Sequence, residues 1–200
     1  PDVRGDTDAL HRRNRHARIA AGRALATRAP TSAADTTPAA TAAPKVLRVV
    51  FQASESGFDP AQITDLYSRT VVAGIFDAPL EWAFYAQPTQ MRPNTLVAMP
   101  EVTDDFKTFT FRIKPGIYFT DDPVFKGKKR ELVAQDYVYS IKRLYDPSLK
   151  SPWLFMFEGK LAGDQALRAS ARSGKFEIDT GVPGLQALDR YTLRIRLQAP

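Results

Sequence analysis

At 200 residues, 44% hydrophobic and 25% charged, the chain is long enough for one sizeable core or a core plus a tail. No run in it approaches the roughly 18 consecutive apolar residues of a membrane-spanning helix. The formal charge of +6 is unevenly placed: residues 1–45 hold eight Lys or Arg against four Asp, leaving 20 basic and 18 acidic residues, a net +2, for the remainder. That remainder carries an ordinary surface, not a polyanion groove.

Residues 1–44 are dominated by Ala, Arg, Thr, Asp and Pro with no aromatic residue. Such a segment buries too little apolar surface to offset the entropy of ordering, so it is expected to be a disordered leader. Ala40-Thr41-Ala42 has the form of a signal cleavage site and Arg12-Arg13 that of a twin-arginine signal, but neither has an apolar segment beside it. Residues 45–200 are expected to be ordered. The β-branched run VLRVVF, Val46 to Phe51, predicts a buried strand, and Ala53 to Pro60 a loop. From Ile63 to Phe76, the recurrence of Ile63, Leu66, Val71 and Ile75 predicts a helix of about four turns, stopped by Asp77-Ala78-Pro79.

A hairpin is expected next, turning at Asp104-Asp105 into Thr108 to Ile113, where Phe109, Phe111 and Ile113 alternate with Thr108, Thr110 and Arg112. Lys114-Pro115-Gly116 reads as a turn and Ile117 to Phe119 as a short strand. Val133 to Tyr145 predicts a helix with Val133, Tyr137, Ile141 and Leu144 on one face. Asp136 in its first turn and Lys142-Arg143 in its last suit the helix dipole. Pro152 to Ala171 is expected to be helical, and Tyr191 to Leu197 a strand buried on its Leu193, Ile195, Leu197 face. The order of elements follows no βαβ rhythm, which predicts an α+β fold with a mixed sheet.

Both histidines, His11 and His16, fall in the leader and cysteine is absent. From Val46 onward this removes the Ser-His-Asp and Cys-His triads, the usual general base and the common transition-metal ligands, so no metal and no cofactor are expected. The cluster Lys126 to Arg130 lacks the glycines of a phosphate loop, and nearby Asp121, Asp122, Glu131 and Asp136 offset its charge, so a solvated loop is the favoured reading. Two carboxylates among Glu55, Asp59, Asp121 and Asp122 would be needed for a hydrolase without His or Cys, although Asp residues beside proline are commonly turn formers. Trp82, Phe84, Tyr85, Trp153, Phe155 and Phe157 are candidates for an aromatic-lined pocket. Nucleic-acid binding through the basic tail is the remaining alternative, weakened by the absence of aromatics for base stacking.

Four segments carry a resemblance. LRVVF is followed by a loop ending Phe58-Asp59-Pro60. TFTFRIKPGIYF, Thr108 to Phe119, mirrors the pattern T-F-x-L-R-x-G-x-x-F. LVAQDYVYSIKRLYDP, Leu132 to Pro147, approaches T-A-x-D-V-x-x-S-x-x-R, and LQALDRYTLRIRLQAP, Leu185 to Pro200, follows like a segment returning to a first lobe. Together they resemble the family 5 extracellular solute-binding proteins, the peptide- and nickel-type receptors of ABC importers. Two departures stand out: an insertion carrying the basic cluster after Phe119-Thr120-Asp121-Asp122, and Val133 in place of the capping Thr.

The resemblance implies a periplasmic-binding-protein-like type II architecture. Family members being much longer, it also implies an N-terminal piece holding the first lobe in part and a small subdomain. It implies a periplasmic, monomeric, non-enzymatic receptor that captures peptides or similar small solutes between two lobes and delivers them to a membrane permease, without nucleic acid as a partner. The loop after the opening strand, with Ser54, Glu55, Ser56 and Phe58, would face the cleft, and Glu55 is the candidate to meet a ligand's amino group.

Overall fold

A computed structural model of the chain describes residues 46–200. The expected leader, residues 1–44, lies outside the described residues. The compact unit that follows runs from Arg48 to Pro200.

Its elements are α1 (Leu66–Val72), β1 (Leu80–Trp82), β2 (Met91–Pro93), β3 (Glu101–Thr103), β4 (Thr108–Arg112), α2 (Ala134–Arg143), α3 (Gln165–Arg172), β5 (Leu185–Ala187) and β6 (Thr192–Arg196), with short 3₁₀ turns at Pro123–Phe125 and Leu154–Met156. β1 and β2 form a separate hairpin, and the other strands make a four-stranded sheet in the order β3-β4-β6-β5. Every pair in both sheets is antiparallel, with Phe111 opposite Leu193 and Leu185 opposite Ile195. The fold is thus α+β, and β6 lies inside the same sheet as the β3–β4 hairpin. The segment likened to one returning to a first lobe supplies that strand, the second central one of the sheet.

One face of the sheet is covered. Ala134 and Val138 of α2, Leu167 of α3, and Leu96, Ile113, Leu161, Val182, Leu185 and Leu193 form one buried cluster with Tyr145. Fully burying a Leu or Ile stabilises by about 1.5–3 kcal/mol, so this cluster is the main source of the unit's stability. The face of α2 lies one residue round from the expected one: Ala134, Val138 and Lys142 are buried, with Tyr137 and Ile141 beside them. Val133 caps α2 with no side-chain bond of its own, and its N–H donates to Asp136 Oδ2 at 2.8 Å, which supplies half of a capping box.

Four expectations are corrected. Val46 to Phe51 forms no strand; Val49 and Val50 are exposed, and no described strand pairs with the run, so its backbone has no ladder to join. The first helix is shorter than its apolar pattern, starting where Asp65 caps it and giving way to turns at Gly74. Ile117 to Phe119 contributes a single bridge, Tyr118 to Glu131, and no strand. Pro152 to Ala171 is broken between a 3₁₀ turn and α3, because Gly159 and Gly163 take φ of +72° and +74°, a left-handed geometry no helix accommodates.

Candidate functional site

The loop singled out by its position, residues 54–58, is exposed at Ser54, Glu55, Ser56 and Phe58. It is pinned on both sides. On one side, Ser56 N–H donates to Ser68 Oγ at 2.8 Å, and the Ser56 hydroxyl donates to Asp65 Oδ2. Asp65 Oδ1 accepts the Ser68 N–H at 2.7 Å, the N-cap bond of α1. One carboxylate thus starts the helix and holds the loop. These donors keep the Asp65 carboxyl far below the usual range, the Ser56 hydroxyl contributing most and the Ser68 amide next.

On the other side, Asp59 binds the last turn of α2. Arg143 donates to Asp59 Oδ1 at 3.2 Å and to Oδ2 at 2.6 Å, a two-pronged ion pair between residues 84 positions apart, and Asp59 Oδ1 also accepts the Ala61 N–H at 3.0 Å. The Arg143 hydrogen bonds are the chief cause of a lowered Asp59 pKa, and Asp59 raises that of Arg143. The chain beyond is tied down again, where Trp153 Nε1 donates to Ile63 O at 3.0 Å and Gln62 Nε2 to Leu149 O at 3.2 Å.

Among the four candidates, Ser56 is therefore committed to holding the loop. Ser54 and Glu55 make no side-chain hydrogen bond or ion pair among the described residues, and Phe58 remains 47% exposed. Asp65, Ser68 and Arg143 were not singled out as site residues. Asp65 carried a readable signal, an Asp three residues before a Ser at a helix start, whereas nothing local pairs Asp59 with Arg143.

The alternatives fare differently. Asp59 is taken up by Arg143, and Asp122 accepts the Val124 N–H at 2.9 Å as the cap of a 3₁₀ turn. No shared partner brings any two of Glu55, Asp59, Asp121 and Asp122 together among the described residues. The aromatic candidates also separate: Trp82, Phe84 and Tyr85 are 63%, 87% and 93% exposed at the β1–β2 hairpin, Phe155 is exposed, and Phe157 packs on the core. Of the basic cluster, Arg130 pairs with Asp136 and lies over Phe119, and Lys129 lies over Tyr118.

The fold is that of part of a type II periplasmic binding protein, with a surface loop offering a carboxylate that has no partner among the described residues. A family model for bacterial extracellular solute-binding proteins, family 5 Middle, matches residues 90–200, and the chain belongs to that family. Di/tripeptide-binding protein 4 of Pseudomonas aeruginosa is 30% identical over 162 residues, 78% of this chain and 27% of that protein. Di/tripeptide-binding protein 2 of the same species is 32% identical over 112 residues, 53% of this chain and 19% of its own. Among solved structures, the murein tripeptide binding protein MppA of Escherichia coli is similar with a TM-score of 0.54 at 25% identity, covering 73% of this chain and 25% of that one. DppA of Helicobacter pylori in complex with a peptide is similar in fold, with a TM-score of 0.54 at 24% identity and coverage of 74% and 26%. The chain spans between 19% and 27% of the length of these relatives.

Proposed function

We propose that the chain contributes one wall of a peptide receptor serving an ABC-type importer, capturing short peptides in the periplasm and handing them to a membrane permease. The observation that carries this reading is Glu55, an exposed carboxylate without a partner among the described residues, on a loop held by Ser56–Asp65–Ser68 on one side and Asp59–Arg143 on the other. A peptide's free ammonium is the group such a carboxylate suits, because a charge-assisted hydrogen bond is stronger than a neutral one. Pinning supports binding, since a loop that is already ordered loses less entropy when a ligand arrives. Ser54 and Phe58 flank Glu55 and would meet the first residue of the peptide. The names of the relatives, di/tripeptide-binding proteins, support the same substrate class. The receptor works by binding and not by catalysis, as a monomer and without nucleic acid.

An NMR titration of the labelled chain tests the reading. L-alanyl-L-alanine is expected to shift the amides of residues 54–58, and its N-acetylated form, which lacks the ammonium, to leave them in place. Equal shifts with both peptides would remove Glu55 from the role.

A further inference from the structure

Along α2 and β5 lies a groove that the peptide reading does not use. It has a volume of about 550 Å³ and is formed by Gln135, Val138 and Lys142 of α2, the turn Gly181 to Pro183, and β5 with Leu188 after it. Among the described residues β5 pairs with β6 alone, so the groove runs along the edge strand of the sheet.

Lys142 is the unusual member. Its residue surface is only 7% exposed, a degree of burial lysine rarely reaches without a partner. Yet its ammonium makes no hydrogen bond or ion pair among the described residues, unlike Arg143 beside it, which has Asp59. Lys142 lines the groove, so its side chain borders that space while most of its surface is buried. No lining residue is acidic, while Gln135 and Gln186 bring amide groups alongside. A buried cation left unpaired is costly, and a carboxylate arriving from outside would relieve that cost.

We propose that this groove is a docking site for an acidic segment of a protein partner, with an Asp or Glu carboxylate received by Lys142. The size and openness favour a segment of several residues over a lone small anion, since a groove of this volume exceeds what one carboxylate fills. Charge complementarity selects the partner: one nearly buried cation in the lining, and no anion beside it.

The test uses the 200-residue chain and two blocked pentapeptides, acetyl-Ala-Glu-Val-Glu-Ala-amide and its counterpart with Gln at both Glu positions. NMR titration is expected to show the acidic peptide shifting Gln135, Lys142 and Gln186 and binding about tenfold more tightly than the neutral one. Lys142→Met, which keeps the apolar stem, is expected to erase that difference. Equal binding of the two peptides to the unaltered protein would overturn the proposal without any variant. So would saturation of the same residues by acetate with no gain from the peptide. Self-association in sedimentation runs that disappears in Lys142→Glu would show the groove filled by a second copy, and would overturn it as well.

Discussion

Asp65 serves two structures with one carboxylate, starting α1 through Oδ1 and holding the Ser56 hydroxyl through Oδ2. Its folded pKa lies below its unfolded one, as do those of Asp59, Glu131 and Asp189. Their stabilising effect is therefore complete above the unfolded carboxylate value of about 4 and is lost as pH falls through the lower folded values. A thermal melt series is expected to show a falling Tm below about pH 4, and Asp65→Asn to lower the Tm at neutral pH while flattening that acid decline. An unchanged acid slope in the variant would contradict the assignment. The Asp59–Arg143 pair is about 30% exposed on both sides, so a double-mutant cycle is expected to give a coupling of about 1 kcal/mol that shrinks with added salt. At this scale the sequence was legible where the chemistry is local. Asp65 and Asp122 stand immediately before the turns they cap, and Asp136 lies in the first turn of α2. The pairing of Asp59 with Arg143 spans 84 residues and obeys no spacing rule, and only a fold can bring it about.

The alternating strands and α2 formed close to where their patterns predict, whereas the first helix is shorter than its pattern. Thr108–Arg112 and Thr192–Arg196 alternate and pair, with Leu193 buried, and α2 keeps its acidic start and basic end. Short strands such as Leu185–Ala187 and the β1–β2 hairpin were not foreseen, because three residues are too few to show a period. VLRVVF shows the opposite limit: a strand-like composition specifies a strand only when a partner is present. Two substitutions test the element-level packing. Val133→Thr gives α2 the cap it lacks and is expected to stabilise the unit by about 0.5–1 kcal/mol in denaturant unfolding. Gly184→Ala is expected to destabilise it by about 1–3 kcal/mol or more. A Cβ there would stand 2.6 Å from the backbone of Ala162 and Arg196, where nothing flexible can give way.

For the molecule as a whole, the α+β class and the solute-binding family were readable because the helix motif around Asp136 and the hairpin motif around Phe111 are both local and both part of the core. The candidate site was legible only in outline. Its loop could be placed by order along the chain, but the split between a structural Ser56 and an unpaired Glu55 depends on contacts with α1 that no sequence window contains. The loop is thus a fixed mount for one charge, and changing the charge is expected to leave the mount standing. The most direct test is the affinity of L-alanyl-L-alanine, measured by titration, for the unaltered chain and for Glu55→Gln. A loss of about tenfold or more, with an unchanged Tm, is the expected result. Equal affinities, or a loss that merely follows a fall in Tm, would contradict the assignment of Glu55 as the ligand's partner.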